Sequence, residues 1–289
     1  MPMSAVKVPA AVIQLCLVLL LLSSVSAAAS THYTFAVIPF YTPEKIWTLY
    51  SPFIDYLNKT TGDTWELKLY QNHEALINDI CSGKLSLALL GPVPLGRVNA
   101  KCGVKPLLVA LGNDGKPSYH SVILTNDPTV KSLSSLKNKE FGFLKGSTAA
   151  HILPAKMLGD AGVGMPDVRP VYLESQDRII TALMSGDVKA AGVKENLAAR
   201  FSKKGLSVVA TSPPLPNFAL SASSSLPASV RQHLVSALVR IKPLNNSKDA
   251  KTVKNWDDEI KHGFMRPDKE YLPSVMKILT IFREIQHEN

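Results

Sequence analysis

From Thr31 onward, short β-branched or aliphatic runs take turns with stretches whose apolar residues recur every three or four positions. No other feature restricts the fold as much, because the two periods belong to strands and helices respectively. THYTFAVIPF is predicted as a strand, PEKIWTLYSPFIDYLNKTTG as a helix ending at Gly62, and WELKLYQ as a strand. HEALINDICSGK is predicted as a helix closed by Gly83, LSLALLGP as a buried strand, VPLGRVNAKCG as a helix and KPLLVALG as a strand. The rhythm then repeats through YHSVILT, SLSSLKNK, EFGFL, STAAHILPAKMLGDAG, VRPVYLE, SQDRIITALMSGD, VKAAGVK, KENLAARFSKKG and LSVVATS. Such alternation predicts an α/β fold with mostly parallel sheet. The prolines of SPPLPN break the pattern. Beyond them come a strand, FALSASS, and three expected helices, LPASVRQHLVSALVRI, NWDDEIKHG and YLPSVMKILTIFREIQH.

With 289 residues the chain is long for one core and comfortable for two lobes of about 100–150 residues each. The two blocks predict one lobe from residues 31–119 plus 218–289, including the C-terminal helices, and another from 120–217. The crossings fall near Ser118–Ser121 and Ser212–Asn217 and predict a two-strand hinge. In open α/β sheets, ligands sit beyond the carboxyl ends of strands, often against helix N-termini. Two such lobes would face each other across a cleft that the hinge can close. On the last helix, Val275, Ile278, Leu279 and Phe282 make an apolar stripe, expected to brace the first lobe.

The N-terminus carries one charge, Lys7, then an apolar run from Val12 to Leu22, then SSVSAAAS. That order predicts a secretory signal peptide spanning 1–27, with cleavage after Ala29 as the other choice, and hence a periplasmic protein. The run is shorter than the roughly 20 residues a membrane anchor needs. The formal charge of +9 is scattered without a Lys/Arg run, which excludes a nucleic-acid-binding pattern and leaves a weak field favouring anions. Cys81 and Cys102 remain after processing. In an oxidising compartment they form a disulfide or, alternatively, stay as two buried thiols. None of the seven histidines falls in an HxH, HExxH or Cys/His pattern, so neither metal nor cofactor is expected. The chain lacks a G-x-S-x-G elbow and a phosphate loop ending in Gly-Lys-Ser/Thr, and it is not expected to be an enzyme. Phosphoester or phosphonate hydrolysis is a minor alternative.

Gly146, Ser147 and Thr148 follow the strand EFGFL and open a helix. Gly146 lets backbone approach a ligand, and the hydroxyls and free N–H groups suit an oxyanion. An ordinary N-cap has the same composition. The combination is more specific, since VIPFYTPE, SGKLSLALLGPV, SYHSVIL, the GST helix start, GDVKAAGV and SPPLPN run in order along the chain. With these motifs the chain resembles the periplasmic phosphate/phosphite/phosphonate-binding proteins of ABC transporters, a group with the type 2 periplasmic-binding-protein fold. The resemblance extends to about residue 240. It implies a monomer that captures a small oxyanion by closure of its lobes, without a cofactor, and delivers it to an ABC permease. Presentation of the bound anion, for instance an arsenite-like one, to a membrane sensor histidine kinase is the alternative output.

The resemblance also implies a ligand set. It falls on Tyr41 and Thr42 after the first strand, on Tyr119 at the first crossing, and on Ser147 and Thr148 at the helix start. Departures from the family pattern bear on the guest. Ala149 stands where a third hydroxyl is common, Leu95 where a tyrosine is, Gln176 where a histidine is, and Lys194 where an acid is, with Glu195 next. An acid there could pair with a ligand amine, whereas Lys194 could only offset negative charge or extend into solvent. The expected guest is therefore a compact oxyanion without an amine.

Overall fold

The computed structural model describes residues 32–287. The expected signal peptide, 1–27 or 1–29, lies outside the described residues. Among those described, no helix is long and apolar enough to cross a membrane.

The first half of the chain runs β1 (His32–Val37), α1 (Pro43–Thr61), β2 (Thr64–Leu67), α2 (His73–Cys81), β3 (Leu87–Leu90), α3 (Pro92–Cys102) and β4 (Pro106–Ala110). Then come β5 (Ser118–Tyr119), β6 (Ser121–Thr125), β7 (Glu140–Phe143), α4 (Leu153–Asp160), β8 (Arg169–Tyr172), α5 (Gln176–Ser185), β9 (Ala190–Lys194), α6 (Glu195–Ser202) and β10 (Ser207–Thr211). The chain ends with β11 (Leu215–Pro216), β12 (Ala219–Ala222), α7 (Ala228–Arg240), α8 (Ser247–Thr252), β13 (Phe264–Met265) and α9 (Tyr271–His287).

These strands form two α/β lobes. One sheet has the order β13-β4-β12-β3-β1-β2, the other β10-β6-β9-β7-β8, and β5 pairs antiparallel with β11 where the chain passes between them. Helices cover the sheets, so β3 is buried at every position and reads as an unbroken apolar run. The local signals do what their chemistry dictates. Pro43 opens α1 where its missing N–H costs nothing, and Gly62 ends it at φ 74°, a conformation that a Cβ would strain.

Three expectations need correction. The sheets are mixed rather than mostly parallel: β1 pairs parallel with β2 and β3, and β7 with β8 and β9, but β12 and β6 enter antiparallel to their neighbours. Each of these two strands starts where the chain has just crossed from the other lobe, so no helical crossover sets its direction. SLSSLKNK forms a single 3₁₀ turn at Leu133–Leu136, since Ser135 Oγ bonds the Ser132 carbonyl at 2.6 Å and draws the backbone away from a longer helix. NWDDEIKHG forms turns, and the short helix lies earlier, at α8.

α9 lays Val275, Ile278, Leu279 and Phe282, all buried, along α3. Gly96 makes the close approach possible, because a Cβ there would meet Leu279 Cβ at 3.0 Å. Cys81 and Cys102, at the ends of α2 and α3, are joined by a disulfide with their Cα atoms 5.6 Å apart.

Candidate functional site

The carboxyl ends of β1, β3, β7 and β9 and the helix starts that follow β3, β7 and β8 converge on one small cavity between the two sheets. Its volume is about 20 Å³, room for the centre of a water or two. Ile38 and Phe40 reach it from beyond β1, Gly91 and Pro94 from the start of α3, Tyr119 from β5 and Phe218 from the link between β11 and β12. Ser147, Thr148 and Ala149 follow β7, Gln176 opens α5, Lys194 ends β9, and His73 closes one side.

The segment after β7 departs from the expected continuous α-helix. Thr148–Ile152 is a π-turn, in which Leu153 N donates to Thr148 O, and α4 follows. Pro154 has no N–H to give to Ala150, whose carbonyl accepts from Leu144 N at 2.9 Å instead. Ser147 is the N-cap, its Oγ accepting from Ala150 N at 3.2 Å. The N–H groups of Thr148 and Ala149 belong to the first turn, which has no upstream carbonyl for them. Thr148 Oγ1 accepts from Val93 N at 3.0 Å, a bond between the lobes that leaves its hydroxyl hydrogen free to donate.

Two buried polar atoms at the cavity have no hydrogen-bond partner among the described residues: the Tyr119 hydroxyl and Gln176 Oε1, on residues 1% and 4% exposed. Burial first and the Glu259 charge second push the Tyr119 phenol well above its ordinary pKa. The Thr148 hydroxyl is close enough to oppose that shift, yet its geometry does not make a hydrogen bond to the phenol. Tyr119 is therefore a protonated donor with nothing to donate to. Gln176 is anchored through its backbone, whose N–H donates to Phe40 O at 2.9 Å.

Lys194 lines the cavity but commits its charge elsewhere. Its ammonium, on a residue 5% exposed, pairs with the Glu259 carboxylate and donates to Asn217 Oδ1 at 2.9 Å. It also sits 4.4 Å from the centroid of the Tyr119 ring and 4.7 Å from that of Phe218. Beside Glu259, burial and then the Glu259 charge push the Asp257 carboxyl up to about 6.

Five of the eight expected ligand residues, Tyr119, Ser147, Thr148, Gln176 and Lys194, come together here. Gly146 lies one step away, at φ 77°, facing His73 across an adjoining groove, and its N–H donates to His151 Nδ1 at 3.1 Å. Tyr41 and Thr42 line a different groove with Glu174 and Arg178. Tyr41 packs on Phe40 at 4.5 Å beneath the Lys45 ammonium, and Thr42 is the N-cap of α1. Sequence reasoning missed Phe40, His73 and Phe218 in the lining and Glu259 behind it. Phe40 and Phe218 adjoin Tyr41 and the crossing, which is the only local signal; Glu259 lies 65 positions from Lys194 and has none. His73 is held neutral, its pKa lowered to about 4 by burial and then by Arg97. Among the described residues, no group of His, Cys, Asp and Glu side chains could hold a metal ion.

Comparison with known proteins places this geometry in context. Residues 35–272 match a family model described as the periplasmic phosphonate substrate-binding protein of ABC transporters. The PhnD1 protein of Prochlorococcus marinus, solved in complex with methylphosphonate, superposes with a TM-score of 0.76 at 16% identity, covering 89% of this chain and 99% of that one. A binding-protein component of an ABC phosphonate transporter from Pseudomonas aeruginosa gives 0.77 at 16% identity, covering 90% of each chain. The alkanesulfonate-binding protein SsuA of Xanthomonas axonopodis, bound to MOPS, gives 0.63 at 16% identity over 91% of this chain and 96% of that one.

Proposed function

The chain belongs to the family of periplasmic phosphonate substrate-binding proteins of ABC transporters, and on that premise we propose that it captures a compact oxyanion, of the phosphate, phosphite or alkylphosphonate class, between its lobes. The guest is then handed to a membrane permease. The observation that carries this reading is the buried, partnerless Tyr119 hydroxyl, a donor facing one cavity beside first-turn N–H groups. An unpaired buried polar atom costs roughly 1–3 kcal/mol, and a singly protonated oxyanion would accept from the Tyr119 hydroxyl and give its own O–H to Gln176 Oε1, which is an acceptor.

The donors are neutral. The Tyr119 phenol, the Thr148 hydroxyl and the N–H groups of Thr148 and Ala149 would surround the anion, with the positive end of the helix dipole behind them. The apolar lining of Ile38, Phe40, Pro94 and Phe218 suits a hydrogen or methyl substituent on phosphorus better than a long or charged one. Contacts across the cleft would hold the lobes closed around the guest: Thr148 with Val93, Gln176 N–H with Phe40 O, Lys45 with Asp177 at 2.6 Å and Arg200 with Asp258 at 2.7 Å. Opening would break most of them together, which releases the anion at the permease. A periplasmic location agrees with the family and with the Cys81–Cys102 disulfide.

Titration calorimetry with phosphate, phosphite, methylphosphonate and 2-aminoethylphosphonate tests the proposal. One of the amine-free anions should bind tightest. Absence of heat and of any melting shift with all of them would overturn it.

A further inference from the structure

The floor of the cavity holds a second constellation that anion capture does not use. The carboxylate of Glu259, Asn217 Oδ1 and the ring faces of Tyr119 and Phe218 surround one point, and the Lys194 ammonium occupies it. A carboxylate, a carbonyl-type acceptor and two aromatic faces are the chemistry that recognises an ammonium ion. Tyr119 serves both compartments, its ring facing the ammonium and its hydroxyl left without a partner at the cavity.

We propose that Lys194 fills a cation subsite adjoining the anion cavity with the chain's own ammonium, and that it thereby bars ligands that carry an amine. The inference rests on the oxyanion reading only for its consequence in specificity; the subsite itself stands on the geometry around Nζ. A tethered ammonium is present at far higher effective concentration than any free amine, so a zwitterionic guest cannot displace it. Adding a second cation to a box whose lining carboxylate, Glu259, is already paired with Lys194 would also bring two positive charges together in a buried place. Removing the Lys194 side chain reverses the situation: Glu259, 3% exposed, is left without its partner and the vacated space calls for a small cation.

The test uses the mature protein and its Lys194→Ala variant, with methylammonium as a probe that needs no anion site. In the variant, methylammonium chloride should raise the melting temperature above that in sodium chloride at equal ionic strength, and the wild type should show no difference. The variant's affinity for 2-aminoethylphosphonate relative to propylphosphonate, which has a methyl group in place of the ammonium, should rise at least about tenfold over the wild-type ratio. The double variant Lys194→Ala/Glu259→Gln should lose both gains. If the single variant folds poorly, the yield of folded protein with methylammonium against sodium is the readout, and equal yields count against the subsite. A Lys194→Ala protein indifferent to methylammonium overturns the inference even where anions bind. Rescue by methylammonium in a protein that binds no anion would leave the subsite standing and remove the oxyanion reading instead.

Discussion

Replacing Tyr119 with phenylalanine removes one oxygen and leaves the ring, its cation–π contact with Lys194 and the packing against Phe218 in place. In this structure that oxygen is fully buried and makes no hydrogen bond among the described residues. Its desolvation is therefore uncompensated, and deleting it should stabilise the protein by about 1 kcal/mol, the low end of the range for an unsatisfied hydroxyl because Thr148 stands nearby. For a chain of this size that corresponds to a rise of roughly 2–4 °C in melting temperature. With an oxyanion bound the same hydroxyl would make a charge-assisted hydrogen bond, worth about 1.5–3 kcal/mol, so the variant should bind roughly 10–150 times more weakly. Stability and affinity thus move in opposite directions. Differential scanning calorimetry without ligand and titration calorimetry with methylphosphonate read the two effects separately. A Tyr119→Phe protein that melts lower and binds as well as wild type would refute the assignment of this hydroxyl to the guest.

Two further outcomes follow from groups away from the cavity. His151 is buried and its pKa lowered to about 4, by burial and then by Lys145, so the folded state resists a proton that the unfolded chain accepts near 6.5. Its contribution, at most about 3 kcal/mol, is complete above pH 6.5 and is lost as the pH falls towards 4; urea titrations across that window should show the decline, and a His151→Gln variant should make it shallower, with His73, also lowered to about 4, accounting for what is left. Opening the disulfide with the double variant Cys81→Ser/Cys102→Ser releases a loop of 21 positions and should cost roughly 3 kcal/mol by the loop-entropy model, seen as a lower urea midpoint with reducing agent no longer having an effect.

The two-lobed architecture was legible because its determinants are local. Pro43 and Gly62 bracket α1, Asn72 caps α2 through Ala75 N, and the apolar run of β3 declares its own burial. What failed locally failed for tertiary reasons. Trp256 and Ile260 are four apart and suggest a helix, but Asp257 accepts from Glu259 N and Tyr50, Asp258 turns to Arg200, and Glu259 turns to Lys194. Three consecutive acids each recruited by a distant partner hold that stretch in turns. The same distance hid the fate of Lys194: its charge was visible in sequence, its carboxylate partner was not, and a side chain expected to offset an anion's charge is already neutralised. Tyr41 and Thr42 follow the first strand as the motif requires, yet the chain turns at Phe40 and presents that ring to the cavity instead. At the helix start Ser147 and Thr148 line the cavity, and Pro154 decided the geometry by forcing a π-turn where an α-turn was expected.

A crystal structure of the mature protein grown with saturating methylphosphonate is the most direct measurement of where the guest sits. Phosphonate oxygens within hydrogen-bonding distance of Tyr119 Oη, Thr148 Oγ1 and the Thr148 and Ala149 N–H groups are the expected result. Density for the anion on any other surface, with Tyr119 still unpartnered, would contradict the account.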